Sequence, residues 1–268
     1  MHDFLHTFFD WHEIGNVLPS LLTEGLGNTL LIAVLAIVFG LVAGMLLAVL
    51  LLSNKWLVRL PARIYVDVFR GMPAIVTVSL VGLGLPAAGI RPFGRSPLGY
   101  AVVAVGLISA AYCAEIFRSG IQSVPAGQMQ AGRSLGMSYL STMRVVVVPQ
   151  GIRNVLPALT GQFIVDVKES SLVYLLGLSA GQRELYFIAQ EHQAATYNSS
   201  ALVAAALCYL VITVPLTYFV NWLDRRMRKG PSGPRPAAAP PTTGTPVTGA
   251  EQPGTGLLAG ALDKEVRA

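Results

Sequence analysis

Apolar residues fall in five long runs along the chain, at residues 25–52, 72–85, 98–116, 155–178 and 199–222. The first run contains no charged residue. Its 28 residues would extend about 42 Å as an α-helix, which exceeds the roughly 30 Å hydrocarbon core of a bilayer. The pattern predicts an all-α protein, a polytopic membrane bundle of about five transmembrane helices.

Basic residues collect in three of the segments between or after these runs. They are Lys55, Arg59, Arg63 and Arg70, then Arg118, Arg133, Arg144 and Arg153, and finally Arg225, Arg226, Arg228 and Lys229. By the positive-inside rule these segments face the cytoplasm. With five helices, the amino terminus is then expected outside and the carboxyl terminus in the cytoplasm.

The two ends of the chain differ from the part between them. Residues 1–24 mix aromatic and acidic side chains and suit a helix at the membrane interface. Residues 230–268 are rich in Pro, Gly, Ala and Thr, a composition that predicts a disordered cytoplasmic tail. The expected division is therefore an interfacial segment at 1–24, a membrane domain at 25–229 and a tail at 230–268.

Composition supports the membrane assignment, since 53% of residues are hydrophobic and 12% are charged. The net charge of +5 comes from dispersed basic residues, so we do not expect nucleic acid binding. Cys113 and Cys208 lie far apart in apolar runs, which gives no disulfide or metal-ligand spacing. No phosphate-binding loop, nucleophile elbow or HExxH motif is present, and we expect no catalytic residue, metal or cofactor on this chain.

A polar segment at residues 115–157 interrupts the apolar pattern. Ser123 and Pro125 are helix-start signals, and Gly136 supplies a flexible stop. Ser138 can cap a second helix, which Pro149 is expected to break. The segment is predicted to fold as a helix, a glycine elbow and another helix.

The spacing of this segment resembles the EAA loop of ATP-binding-cassette (ABC) importer permeases, in their polar amino acid branch. Ala131, Gly136 and Pro149 match the family pattern, whereas Gln130 and Gly132 stand where the family has Glu and Ala. Further matching positions are Ala114-Glu115-Ile116, Arg118-Ser119-Gly120, Leu135-Gly136-Met137-Ser138 and Pro149-Gln150. The resemblance covers residues 25–228 and implies the fold of a type I ABC importer transmembrane domain.

The resemblance also implies how the protein works. A separate pair of ATPase subunits, which carry ATP and Mg, would receive the helix at about 125–135 in a surface groove. Further partners would be an extracytoplasmic solute-binding protein and a second permease, identical or similar, in a bacterial inner membrane. The residues implied in ATPase coupling are Ser123, Pro125, Gly127, Gln128, Gln130, Ala131, Gly132, Arg133, Gly136, Met137, Ser138 and Pro149. We call residues 123–149 the coupling loop.

A second candidate site lies within the fourth apolar run and comprises Asp166, Lys168, Glu169, Ser170 and Ser171. Ionisable residues inside a membrane cost roughly 2.5 to 3.5 kcal/mol each on insertion scales, so they need partners or a water-filled cavity. On a helix, Lys168 points away from Asp166 and Glu169. The cluster can line a path for a zwitterionic substrate or form a structural ion network, and the residues leave both open.

Three smaller expectations complete the sequence-based picture. Glu115 can pair with Arg118 at i+3, and Gly40 and Gly44 allow another helix to approach closely. The outer residues are expected on a solvated face, with contact to the solute-binding protein as the alternative; they are Gln182, Arg183, Glu184, Glu191 and His192. Rival functions are an ion-coupled secondary transporter, which would use the Asp166 cluster, and a membrane scaffold; the transported amino acid is not defined by the sequence.

Overall fold

The computed structural model describes residues 6–228, and in that range every regular element is helical. The chain begins with α1 (Trp11–Ser20), which runs through a π-helical turn (Leu21–Gly25) into α2 (Leu26–Leu51). Asp10 caps α1, its carboxylate accepting from the backbone N–H of His12 at 2.9 Å. The terminal segment is therefore continuous with the first apolar helix, and no break separates them at Gly25. Its position at a membrane interface stays a prediction.

The second apolar run is a short helical segment that follows a sharp bend. α3 (Trp56–Gly71) is joined at 108° to the run of α4 (Ala74–Ser79), a π-helical turn (Leu80–Gly84) and α5 (Leu85–Ala87). Pro73 stands at the bend with φ −56° and ψ 135°, an extended conformation that prevents α3 from continuing. The 14 residues after the bend reach only about 21 Å, so they do not cross a bilayer as one straight helix.

The centre of the bundle is α6 (Pro97–Gln122), which packs most extensively against α2. Small residues make this contact close. A Cβ atom added at Gly40 would lie 2.5 Å from Ser109 Oγ, and one at Gly44 would lie 2.6 Å from Cys113 Cβ. The predicted close approach at these two glycines is confirmed, since either side chain would overlap α6.

After α6 the chain forms α7 (Ala126–Ser134), α8 (Tyr139–Thr142), a π-helical turn (Met143–Val147) and α9 (Val148–Glu169). The predicted break at Pro149 is wrong. Pro149 lies in the first turn of α9, where the preceding π-helical turn passes directly into the α-helix. A first-turn position suits proline, because the amide hydrogen it lacks is not needed there.

The remainder is a 3₁₀ helix (Ser170–Leu176), α10 (Leu185–Thr196) and α11 (Ser200–Arg228). α11 packs against α9 and α10. The expected tail at 230–268 lies outside the described residues.

Three helices in the described range are long and apolar enough to cross a membrane, namely His6–Leu51, Pro97–Gln122 and Ser200–Met227. The bent pair at α3 to α5 raises this number to four if it is one span. α9 is 22 residues long but carries Arg153, Asp166, Lys168 and Glu169, and it is not in that set. The all-helical membrane fold is confirmed, and α9, which contains most of the fourth apolar run, is more polar than α2, α6 and α11.

Candidate functional site

The glycine elbow of the coupling loop has the geometry of a Schellman motif. Gly136 has φ +83°, in the left-handed region. The Met137 N–H donates to Gly132 O at 3.1 Å, and the Gly136 N–H donates to Arg133 O at 3.1 Å. This pair of bonds terminates α7 and satisfies its last carbonyl groups. Gly136 therefore holds the elbow through its backbone conformation, as the sequence predicts.

The far side of the elbow begins at Ser138, whose hydroxyl accepts from the Ser141 N–H at 3.2 Å and caps α8 as predicted. Ser123 behaves differently, because it ends α6 and the residue preceding α7 is Pro125. The interpretation of Ser123 as a helix start is therefore wrong. Its hydroxyl donates to Gly120 O at 2.7 Å and accepts from Asn154 Nδ2 at 3.1 Å, which ties α6 to α9.

Gly132 is buried against Thr142 of α8. A Cβ atom there would collide with the side chain of Thr142 on α8. The absence of a side chain at Gly132 therefore lets α7 fold back on α8, and it adds nothing to an outward docking face. The other small or polar residues of α7 that were implied in docking do face outward: Gly127, Gln128, Gln130, Ala131 and Arg133.

Exposed apolar side chains surround the elbow. Leu135 is 83% exposed, Leu140 is 73% exposed and Tyr139 is 55% exposed. These three residues lie within six positions of one another, beside the polar face of α7. Large apolar residues clustered on a polar surface mark a contact with another protein or with a membrane. We call Leu135, Tyr139 and Leu140 the elbow patch. The sequence analysis does not identify it, although three large apolar residues so close to Gly136 are a signal that could have found it.

The coupling loop is fixed closely to two helices of the bundle. A Cβ atom at Gly151 would lie 2.8 Å from Ile121 Cα, and one at Gly120 would lie 2.7 Å from Gly151 O. Gln150 on α9 donates through Nε2 to Val146 O at 3.0 Å and to Gln128 Oε1 at 3.4 Å. Backbone contact without intervening side chains makes the ends of α6 and α9 a stiff support for the loop.

An ion-pair cluster braces the same end of α6. Arg118 NH2 lies 2.7 Å from Glu115 Oε2, so the predicted pair is confirmed. Glu115 also faces Arg63 of α3, with NH1 to Oε1 at 3.4 Å. The carboxylate thus joins two arginines from different helices.

Within the membrane cluster, Asp166 is fully buried and pairs with neutral groups. Its Oδ2 accepts from Ser109 Oγ at 2.8 Å and its Oδ1 accepts from Gln162 Nε2 at 2.9 Å. Ser109 belongs to α6, where it also lies against Gly40. Asp166 therefore connects α9 to the α2–α6 contact at the centre of the bundle.

The other members of the cluster separate from Asp166. Lys168 is exposed, and Glu169 Oε2 is buried with no hydrogen-bond partner. The hydroxyls of Ser170 and Ser171 donate to backbone carbonyls of Val167 and Lys168 at 2.8 and 2.7 Å. The five residues do not form one ion network; they stand at the end of α9, where it turns into the 3₁₀ helix.

Lys168 and Ser171 line a cavity of about 320 Å³ between α9, α10 and α11. The remaining walls combine two tyrosines with small or apolar residues, namely Tyr186, Leu202, Ala205, Ala206 and Tyr209. The hydroxyl of Tyr209 donates to Glu184 Oε2 at 2.9 Å, so a carboxyl group lies directly behind the cavity wall. The cavity is thus mainly apolar, with Lys168 and Ser171 as the polar residues at one wall and two tyrosines among the others.

The outer residues expected on a solvated face are paired or buried. Arg183 bridges Glu24 and Glu191 at 2.8 and 2.7 Å, and these bonds raise the pKa of its guanidinium. Glu184 is fully buried and caps α10, accepting from the N–H groups of Tyr186 and Phe187 at 2.6 Å each. Burial raises the pKa of the Glu184 carboxyl to about 7, against these hydrogen bonds. The solvated interpretation of Glu184 is wrong, because a sequence does not show which helix covers a residue.

Comparison with known proteins identifies the family. Residues 36–229 match the family described as "Binding-protein-dependent transport system inner membrane component". The chain is 35% identical over 221 residues to the glutamine transport system permease protein GlnP of Escherichia coli K12, covering 82% of this chain and 98% of that protein. It is 36% identical over 223 residues to the glutamate/aspartate import permease protein GltK of Escherichia coli O6:H1, covering 81% and 98%.

Solved structures agree with this result. An amino acid ABC transporter crystallised with histidines has a chain with a TM-score of 0.72 and 33% identity, covering 81% of this chain and 98% of that one. A chain of the MetNI methionine ABC transporter in an inward-facing conformation has a TM-score of 0.65 at 19% identity, covering 78% and 98%, and shares the fold. The predicted permease assignment is confirmed over the ion-coupled alternative. This chain belongs to the family of binding-protein-dependent transport system inner membrane components.

Proposed function

We propose that this permease subunit imports polar amino acids and is driven by separate ATPase subunits that bind its coupling loop. The substrate class rests on the similarity to permeases named for glutamine, glutamate/aspartate and arginine. Relatives of similar identity carry different substrate names, so the proposal stops at the class. ATP and Mg would be held by the ATPase, and a solute-binding protein would deliver the amino acid outside.

The elbow patch is the observation that carries the coupling proposal. Leu135, Tyr139 and Leu140 expose large apolar side chains beside the outward polar residues of α7, and a partner protein would remove that apolar surface from water. Gln128, Gln130 and Arg133 would supply hydrogen bonds at the rim of the contact. A glutamine at position 130 keeps both a donor and an acceptor there.

The support of the loop explains how movement would be transmitted. Because the backbones of α6 and α9 are in contact at Gly120 and Gly151, a movement of the coupling loop would move both helices with it. α6 in turn packs closely on α2 through Gly40 and Gly44. Closure of two ATPase subunits on ATP would therefore move the helices as rigid bodies and alternate the access of the pathway between the two sides of the membrane. A second permease, identical or similar, would complete the pathway.

For the pathway we propose the cavity at Lys168 and Ser171. The Lys168 ammonium would bind the substrate carboxylate, and Ser171, whose hydroxyl donates to Lys168 O, would line the cavity beside it. Glu169 has a buried carboxylate oxygen without a partner but does not line the cavity, so it would accept from the substrate ammonium only if the end of α9 rearranges. Asp166 and Ser170 bond within the protein and would support the site without touching the substrate.

The experiment is purification of the tagged chain from its native host in mild detergent, with mass spectrometry of the subunits that remain bound. We expect an ATPase with phosphate-loop motifs, and we expect Leu135→Asp or Leu140→Asp to release it. The matched control is Ile90→Asp, which charges an exposed apolar residue outside the coupling loop. Equal ATPase recovery from the loop variants and the control would refute docking at the elbow patch.

A further inference from the structure

A basic cavity of about 390 Å³ lies beside the coupling loop, where the ends of α2 and α6 meet the beginning of α3. Its polar wall consists of Arg59, Arg63, Arg118 and Gln122. Leu51 and Trp56 are among its apolar walls. Nothing in the proposed transport cycle uses this cavity.

The charges in the cavity are not balanced. Glu115 faces both Arg63 and Arg118, and Arg63 is also 4.0 Å from Asp67. Arg59 has no ion-pair partner among residues 6–228. Three guanidinium groups against two carboxylates leave one net positive charge, located at Arg59. The cavity therefore favours an anion.

Beside the cavity, α3 is apolar on an exposed stripe. Leu57, Leu60, Ile64 and Val68 recur at helical spacing and are 68%, 43%, 54% and 49% exposed. The basic residues Arg59, Arg63 and Arg70 lie on the same helix, and Trp56 begins it with 61% exposure. An amphipathic helix with an exposed apolar stripe, arginines and a tryptophan at its end suits the interface between acyl chains and headgroups.

We propose that this cavity binds the phosphate of an anionic phospholipid, with the acyl chains along the apolar stripe of α3. Arg59 donates to the phosphate, and Gln122 is placed to add a neutral donor. Trp56 and Leu60 contact the part of the acyl chain next to the headgroup. A free phosphate ion would satisfy the guanidinium alone, whereas only an amphiphile matches both the charge and the adjoining apolar stripe.

The location gives the lipid a structural consequence. Gln122 is the last residue of α6, and the coupling loop starts at the next residue. Arg118, one turn earlier, is held by Glu115 and by Gln122 Oε1 at 2.6 Å. A phosphate bound at Arg59 therefore connects α3 to the end of α6 that supports the coupling loop, because Arg59, Arg118 and Gln122 line the same cavity.

The test is native mass spectrometry of the full-length chain, purified with its co-purifying subunits and titrated with phosphatidylglycerol, phosphatidylcholine or inorganic phosphate. We expect preferential retention of phosphatidylglycerol, and Arg59→Gln should weaken it about fivefold, as expected for one arginine at a lipid surface. Arg59→Gln breaks no ion pair, so the fold is expected to survive. The control Arg225→Gln removes the charge of an exposed arginine of α11 outside the cavity.

Equal retention of phosphatidylglycerol by both variants would overturn the proposal, as would equal retention of the two lipids by the unaltered chain. Competition by inorganic phosphate at concentrations equimolar with the lipid would also overturn it, because the site would then recognise phosphate without the apolar stripe. None of these readouts depends on transport, so failure here leaves the proposed import function standing.

Discussion

The backbone at Gly136 gives the sharpest test of coupling through the elbow. At φ +83° an alanine would carry a cost of about 1–2 kcal/mol, because its Cβ approaches the following carbonyl in the left-handed region. A proline has its φ fixed near −65° and cannot reach this conformation. It would also remove the N–H that donates to Arg133 O. Gly136→Ala should therefore weaken the elbow, and Gly136→Pro should open it.

Solute-stimulated ATP hydrolysis in proteoliposomes is the assay, with the binding protein and the ATPase subunits present. A loss of 1–2 kcal/mol corresponds to about a 5- to 30-fold shift toward the opened elbow for Gly136→Ala. We expect a partial loss of stimulation in that variant and no stimulation in Gly136→Pro. Thermal unfolding of the bundle should change little in either variant, because no residue beyond the chain neighbours of Gly136 lies within 4 Å of a Cβ added there, so an opened elbow disturbs no packing.

The matched control is Gly89→Ala, since Gly89 has φ +81° and the same open surroundings but lies outside the coupling loop. Its backbone strain should equal that of Gly136→Ala, while stimulation of ATP hydrolysis stays intact. Normal stimulation in Gly136→Pro would refute the role of the elbow. An equal loss in the Gly89 variant would assign the effect to strain alone.

Three further predictions concern the bundle. Asp166→Leu should lower the free energy of unfolding by about 1–3 kcal/mol, because the Ser109 hydroxyl loses its acceptor. Asp166→Asn should lower it less, and thermal unfolding in detergent measures the difference. Gly40→Ala should destabilise by about 1–3 kcal/mol through overlap with α6, whereas Gly27→Ala, with open space around it, should not; equal melting temperatures would contradict this packing. For Glu184, the folded pKa of about 7 exceeds the ordinary glutamate pKa of 4.5, so its contribution to stability is full below pH 4.5 and is lost as pH rises through 7. The melting temperature should fall from pH 5 to pH 8 by more in the unaltered chain than in Glu184→Gln, and equal slopes would contradict the buried carboxyl.

Local signals in the sequence were sufficient for the elbow and for the helix contact at α6. Gly136 and Ser138 are read correctly because a left-handed stop and a side-chain cap act through the backbone of their immediate neighbours. Gly40 and Gly44 are read correctly because their spacing places both on one helix face. These features depend on few residues close in sequence.

Features that depend on distant packing were read less well. Pro149 was expected to end a helix, but a π-helical turn before it allows the helix to continue. The sequence pattern places Gly132 on the docking face, whereas close contact with Thr142 buries it inside the loop. Asp166 and Lys168 are two positions apart, yet one pairs with α6 and the other lines a cavity near α11. Burial and partner helices decide each case, and neither is a local property.

The most direct test of the account is uptake of labelled polar amino acids by proteoliposomes that contain the purified permease, its ATPase subunits and the binding protein. The account predicts uptake that requires ATP and Mg on the coupling-loop side, persists after proton and sodium gradients are abolished, and is lost in Gly136→Pro. Uptake that follows an ion gradient in the absence of ATP would contradict it.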